Sequence, residues 1–407
     1  MPSPSTDLSE SANTLTFNDL EIPSVDSAKQ MFSELLDLVV ARDGNVTRRE
    51  DQLDQLCNLI LLKLDSDKKG KLDPTAELEF HCCNNETATS ENVKKLFSSF
   101  LLIYPDIFIT QSDKEIRFSN STIDAIVEKL APYNLLGIGS DAVSIAFQTL
   151  RSAALKQGEG QYFTPTQVIQ AAIKILGVDK DDIILDPACG TGGFLIQSFL
   201  EMKNKYIGSN EELSKWAQLH IYGIDKDAIG IKLTKAIMQI LGDGSAHCVR
   251  GDSVLTHTWS TEYPHLVSSM YSNKRFSKIY TNPPFGAPLK VKYMDAKKSG
   301  LSITEYLDKP KDIELGLLMF NRCVDLLQDG GKLCIVLPET YFFSPSYQYV
   351  REWAKKRIKP LCVINIPMEA FQGFCRAKTN LYIFEKLDEQ STGWNTGSVI
   401  FMDPKTC

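Results

Sequence analysis

Leu185-Asp186-Pro187-Ala188-Cys189-Gly190-Thr191-Gly192-Gly193-Phe194-Leu195 joins a short apolar run to an amphipathic segment through three glycines in four positions. Glycine lets a backbone turn tightly and approach a ligand with no Cβ in the way. In an open sheet of parallel strands, ligands sit outside the carboxyl ends of the strands, where such turns lie. Asp186 opens the turn with a negative charge, which repels phosphate and suits a ligand carrying a cation. The glycines alone could serve a tight strand–helix connection. The Asp-Pro-x-x-Gly frame around them points to a binding turn.

Outward from this turn, short β-rich apolar runs alternate with helical segments, the mark of a parallel α/β sheet. Strands are expected at 182–185, 220–224, 246–250, 278–281, 332–337, 360–366 and 379–384, with helices over about 165–177, 192–206, 227–241, 312–328 and 345–358. The last two strands lie too close in sequence for a parallel crossover, so the end of the sheet should carry a reversed hairpin. Upstream the texture is helical. Met31, Leu35, Leu36 and Val39 share one face, followed by Leu53, Leu56, Leu59, Ile60 and Leu64. Residues 65–74 read as a loop, and further helices are expected over roughly 90–103, 120–132 and 140–156. The Ser- and Asp-rich stretch 1–27 reads as a disordered tail. The expected domains are therefore a tail at 1–27, a helical domain at 28–155 and an α/β domain at 156–407.

Three more strand ends carry chemistry. The second strand ends in Tyr222-Gly223-Ile224-Asp225, where a carboxylate can accept both hydroxyls of a ribose. Asp225 stands 39 residues after Asp186, against about 20 in the dinucleotide fingerprint; a polar insertion around 203–217 accounts for the excess. The third ends in Gly251-Asp252-Ser253, where Asp252 could bond an adenine amine. The fourth ends in Thr281-Asn282-Pro283-Pro284-Phe285-Gly286. An aromatic amine is a poor nucleophile, because its lone pair is delocalised into the ring. A site that accepts both amine hydrogens favours a tetrahedral nitrogen and frees that pair. Asn282 offers a side-chain carbonyl and Pro283 a backbone carbonyl. Pro283 and Pro284 fix the loop in advance, and Phe285 offers a face for a planar base.

Composition narrows the field. Residues 1–150 hold 13 Lys and Arg against 24 Asp and Glu, and the remaining 257 hold 31 against 27, giving net charges of −11 and +4. Such a chain grips DNA only through local basic surface or a basic partner. The ten cysteines show no CxxC pair, so neither a zinc site nor a disulfide framework is expected. Free thiols and a cytoplasmic location follow. No apolar run reaches the length of a membrane span, about 18 residues, and Met1–Asp7 lacks a signal peptide's basic start. Methylation at a ring carbon of cytosine would need a Pro-Cys nucleophile, and none is present.

Gly160-Gln161-Tyr162-Phe163-Thr164-Pro165, the glycine turn at 186–195 and Asn282-Pro283-Pro284-Phe285 occur in that order. The chain thereby closely resembles the modification (methylase) subunits of type I restriction–modification systems and the related adenine methylases fused to nucleases. The resemblance runs over roughly 45–405. It implies a seven-stranded Rossmann-like S-adenosylmethionine-dependent methyltransferase core with an N-terminal helical domain, acting on the exocyclic amine of adenine. It implies that Gln161, Tyr162, Phe163, Thr164, Pro165 and Thr166 wrap the methionine end of S-adenosylmethionine. Phe163 would meet the sulfonium, and Gly190, Thr191, Gly192 and Gly193 would hold the cofactor by backbone contacts. Asp225 would take the ribose, with Asp186 and Asp252 beside it. Asn282, Pro283, Pro284 and Phe285 would take a flipped adenine. The chain departs from the pattern at Thr166, where many members have Arg, and at Asp225, where many have Glu.

About twenty residues follow the last expected strand, too few for a target-recognition domain. The resemblance therefore implies double-stranded DNA as substrate, a separate specificity subunit as partner, two copies of this chain on one such subunit, and a nuclease subunit as a further associate. The basic stretches 290–298 and 351–359 are candidate contacts to the DNA backbone. Four other readings stand beside this one: a protein-glutamine methyltransferase using the same loop, a truncated member of the fused nuclease–methylase enzymes, a non-catalytic scaffold, and methylation of the cytosine amine.

Overall fold

The computed structural model describes residues 15–139 (except 106, 109 and 110), 143, 146, 147, 164–240 (except 206 and 207), 247–258, 276–368 (except 287 and 288) and 378–388. The chain forms two compact units, Met1–Lys156 and Gln157–Cys407.

The first unit is helical. Helix α1 (Val25–Arg42) starts where the Ser24 hydroxyl accepts the Ser27 N–H, and it buries Phe32, Leu35, Leu36 and Val39. Helix α2 (Arg49–Leu72) is buried over nearly its whole length, polar residues included. Gln55 and Asn58 survive there because each bonds backbone: Gln55 Nε2 donates to Glu115 O at 2.9 Å and Asn58 Nδ2 to Asp113 O at 3.2 Å. Helix α2 also runs through 65–72, where a loop was expected. The polar residues do not break it, because they are spent on partners. Asp65 accepts from Tyr104, Ser66 Oγ from Phe80 N, and Asp67 Oδ2 from Leu135 N. Helices α3 (Glu86–Ile103) and α4 (Asn120–Leu130) are capped by Asn85 and Ser119.

The described part of the expected tail is bonded to this unit: Leu78 N donates to Leu15 O, and Glu21 exchanges backbone bonds with Pro132 and Asn134. The stretch 1–14 and nearly all of the helix expected over 140–156 lie outside the described residues.

The second unit holds a seven-stranded sheet. In chain order its elements are α5 (Thr166–Leu176), β1 (Ile184–Asp186), α6 (Gly193–Lys205), α7 (Asn210–His220), β2 (Ile221–Asp225), α8 (Ala228–Ile240), β3 (Cys248–Arg250), β4 (Phe276–Thr281), β5 (Lys290–Val291), α9 (Tyr293–Lys298), β6 (Ile313–Glu314), α10 (Leu315–Leu326), β7 (Leu327–Pro338), α11 (Thr340–Phe343), α12 (Gln348–Lys355), β8 (Ile358–Asn365) and β9 (Thr379–Lys386). The sheet order is β3-β2-β1-β4-β7-β9-β8, with β5 and β6 forming a separate ribbon. Strands β1 to β4 and β7 pair in parallel, and β9 runs against both its neighbours. The expected reversed hairpin is present at the end of the sheet, with β9 between β7 and β8.

Helix α7 occupies the segment expected to be a polar insertion. Ser209 and Glu212 form a capping box, and Leu213, Trp216 and Ala217 turn inward. On one side of the sheet Phe320, Trp353 and Phe384 pack with Ile279, Leu317 and Ile335 into a continuous apolar core. The chain leaves β1 toward β2 and β3 on one side and toward β4 on the other. The crevice at this reversal, outside the carboxyl ends of β1 and β4, is where such a sheet receives ligands.

Candidate active site

Strand β1 delivers Asp186 to the crevice almost fully buried, and Oδ1 accepts the Ala188 N–H at 3.0 Å. Burial pushes its carboxyl up to about 7, with the Asp225 charge adding to the rise and the Thr281 hydroxyl and Ala188 N–H opposing it. The glycine turn follows. Gly190 and Gly192 have φ of 53° and 83°, the left-handed region that glycine enters without strain. Among the described residues, nothing lies within 4 Å of where a Gly190 Cβ would stand, so that face of the turn is open. The opposite face is closed by α8. A Cβ on Gly192 would meet Thr234 Cγ2 at 2.8 Å, one on Gly230 would meet Gly190 O at 2.8 Å, and Thr234 Oγ1 donates to Gly190 O at 2.9 Å.

Asp225 ends β2 with both oxygens already taking backbone: Oδ2 from Gly190 N at 2.8 Å and Oδ1 from Asp227 N at 2.9 Å. Asp227 in turn caps α8, accepting from Ile229 N and Gly230 N. Asp252, after β3, splits its oxygens. Oδ1 accepts from Val254 N and Leu255 N, and Oδ2 pairs with the exposed Lys226 at 2.7 Å. Ser253 Oγ donates to Pro187 O at 2.6 Å, tying this loop to the glycine turn.

Strand β4 runs beside β1 in register, Ile184 opposite Lys278 and Leu185 opposite Ile279. Asn282 to Phe285 therefore leave the sheet from the strand next to the one that carries Asp186 and the glycine turn. Asn282 and Pro283 are buried and Pro284 half-buried. Phe285 is fully buried, so the open stacking face expected of it is covered. Gly316, at the start of α10, lies against this loop: a Cβ there would stand 3.2 Å from Phe285 Cβ and 3.5 Å from Pro284 O.

The structure thus brings Asp186, Gly190, Thr191, Gly192, Gly193, Asp225, Asp252 and Asn282 to Phe285 to the carboxyl ends of neighbouring parallel strands. Gln161, Tyr162 and Phe163 lie outside the described residues, while Thr164 and Pro165 lead into α5, which begins at Thr166. Thr234, Gly230, Asp227 and Thr281 were not singled out by the sequence. Asp227 alone left a signal, an Asp just before a helical run. Among the described residues, no group of His, Cys, Asp and Glu could hold a metal ion, and no helix is long and apolar enough to cross a membrane.

The chain is similar to known proteins. A type I restriction enzyme EcoEI methylase subunit from Escherichia coli is 26% identical over 251 residues, covering 61% of this chain and 46% of that one. The restriction enzyme and methyltransferase RM.BcgI from Heyndrickxia coagulans is 28% identical over 184 residues, covering 44% of this chain and 24% of that one. This chain thus spans less than half the length of either relative. In fold it is similar to a Vibrio vulnificus YJ016 protein described as a type I restriction modification subunit. The two are 16% identical with a TM-score of 0.64, covering 90% of this chain and 83% of that one. The model of the N-6 DNA methylase family matches residues 144–407, and the chain belongs to that family.

Proposed function

We propose that this chain transfers a methyl group from S-adenosylmethionine to the exocyclic amine of an adenine in double-stranded DNA, as the modification subunit of a restriction–modification complex. The observation that carries this reading is the placement of Asn282 to Phe285 beside the glycine turn, at the reversal between β1 and β4.

The residues present fit the cofactor. Asp186, Asp225 and Asp252 converge on a turn with one open face, and three carboxylates suit a cationic ligand bearing hydroxyls and an amine. Bound there, S-adenosylmethionine supplies a methyl on a sulfonium, an electrophile needing no metal assistance to leave its sulfur. Gly190 to Gly193 offer backbone at the start of α6. Asp225, at the end of β2, presents its carboxylate to the ribose, and Asp252 offers Oδ2 once Lys226 swings aside. The Asn282 side-chain carbonyl and the Pro283 backbone carbonyl accept the two amine hydrogens, which aims the nitrogen lone pair at the methyl. The cofactor would supply direct displacement, in which the nitrogen–carbon bond would form as the carbon–sulfur bond breaks and one amine proton would leave to solvent. The site's contribution is a rigid, preorganised set of acceptors. The burial of Phe285 means that its cover must move for a base to stack on it.

A specificity subunit carrying sequence recognition is the proposed partner, with two copies of this chain on each, and a nuclease subunit is a further associate. The lysines of 290–298 and the basic residues of 351–359 are the proposed contacts to DNA phosphates. Incubation with labelled S-adenosylmethionine and either DNA or protein acceptors tests the chemistry. Label is expected on adenine in DNA, and label only on protein would overturn the reading. Capture from the native cell should bring down a specificity subunit. The purified chain alone should bind cofactor and methylate DNA poorly.

A further inference from the structure

Arg322 lies on α10, 5% exposed. A guanidinium taken that far from water needs its donors answered. It donates to Ser253 O at 3.0 Å, Val254 O at 3.3 Å, Thr256 Oγ1 at 3.2 Å and Ser299 O at 2.8 Å. Ser253, Val254 and Thr256 belong to the loop after β3. Ser299 ends α9, in the excursion that follows the Asn-Pro-Pro-Phe loop. The same excursion is fastened to the loop a second time, by the His257 ring nitrogen and Ser299 Oγ at 2.7 Å.

The loop after β3 is held from three directions. The carboxylate of Asp252 gathers its N–H groups, Ser253 Oγ anchors it to Pro187 in the glycine turn, and Arg322 gathers its carbonyls. With Oδ1 of Asp252 committed inward, the direction of Oδ2 follows the backbone of the loop, and that backbone follows the guanidinium.

We propose that Arg322 is a positioning residue for the cofactor: it sets the aim of Asp252 toward the adenine of S-adenosylmethionine and locks the cofactor-side loop to the excursion behind the chemical loop. This rests on the reading of the cofactor site given above. A planar fork suits the task, because it reaches carbonyls on two chain segments at once, whereas an ammonium presents a single point of donation. A lysine here keeps the charge and loses most of the spread.

The test is titration calorimetry of the full chain with S-adenosylhomocysteine, well below the unfolding temperature. Arg322→Lys is expected to raise Kd about tenfold, the loss of orienting bonds rather than of a ligand contact. Thr256→Val, which removes one acceptor from the half-exposed rim of the network, is expected to raise it about threefold. Trp216→Phe is the structural control. Trp216 is buried on α7, and its Nε1 donates to Lys180 O at 2.7 Å at the amino ends of β1 and β2, away from the loop after β3. That change should lower the unfolding temperature as Arg322→Lys does, yet leave Kd within about twofold. The proposal is overturned if Arg322→Lys leaves Kd unchanged, or if Trp216→Phe weakens binding as much. Should Arg322→Lys fail to fold, an unchanged Kd in Thr256→Val overturns it. A wild-type chain that binds no S-adenosylhomocysteine sinks the cofactor reading itself, an outcome distinct from a wild type that binds and a variant that does not care.

Discussion

The Gly190 N–H donates to Asp225 Oδ2 at 2.8 Å, so the carboxylate that ends β2 closes the glycine turn that follows β1. One side chain thereby shapes the turn and, in the proposed reading, also faces the ribose. Asp225→Asn should separate the two roles only poorly. An amide nitrogen facing the Gly190 N–H sets donor against donor, and an amide flipped to avoid this turns its nitrogen toward Asp227 N. The expected cost is about 1–3 kcal/mol in cofactor affinity, measured by calorimetry. Asp225→Glu, the residue that many relatives of this motif order carry, should retain binding within about tenfold, since the carboxylate survives.

Asp186 makes the site sensitive to pH. Its carboxyl is pushed up to about 7 by burial, well above an ordinary aspartate. A carboxyl raised in the folded state holds its proton longer than in the unfolded chain, so its contribution to stability falls as pH rises from about 4 to about 7 and is level beyond. Binding a cation favours the ionised form. Affinity for S-adenosylmethionine should therefore strengthen as pH rises through about 7, and Asp186→Asn should bind weakly with no such slope. A titration of Kd between pH 5.5 and 8.5 checks both statements; those bounds are set at roughly 1.5 units to either side of the midpoint.

Gly230 is expected to be intolerant of a methyl. It lies in α8, where alanine would normally help, yet a Cβ there would stand 2.8 Å from Gly190 O. The glycine turn must shift to admit it. Gly230→Ala should cost about 1–3 kcal/mol of stability and weaken cofactor binding, whereas Gly300→Ala, where nothing crowds the position but φ is 72°, should cost stability alone.

In the helical unit, Lys63 and Asp67 form an ion pair at 2.6 Å with both side chains fully buried. Burial pulls the lysine down and pushes the aspartate up, each opposing the partner's charge. Removing one member leaves the other's charge stranded. Lys63→Met should destabilise by about 3–5 kcal/mol in urea unfolding, and Lys63→Met with Asp67→Leu should recover part of this. Recovery stays partial because Asp67 also accepts the Leu135 N–H.

The sheet and its chemical edge were readable because each rests on local pattern. Apolar runs mark β1, β2, β4 and β7, and Gly190, Gly192 and Asn282 to Phe285 sit at strand ends where backbone geometry admits few other residues. What was missed depends on partners distant in sequence. Residues 65–72 look like a loop until Tyr104, Phe80 and Leu135 supply bonds for Asp65, Ser66 and Asp67. Thr234 and Gly230 matter only because α8 presses on the glycine turn, and Arg322 only because its fork reaches a loop some seventy positions upstream. The burial of Phe285 was hidden for the same reason, since Gly316 lies beyond the excursion. Helix α7 is a different case, as Ser209 and Glu212 spelled its capping box in plain view.

Asn282→Ala tests the account most directly, assayed in the complex from native cells with labelled S-adenosylmethionine and adenine-bearing DNA. Turnover should fall at least roughly a hundredfold, because one of two acceptors for the amine hydrogens is gone, while Kd for S-adenosylhomocysteine stays within about twofold. Methyl transfer at the wild-type rate with cofactor binding unchanged would contradict the account.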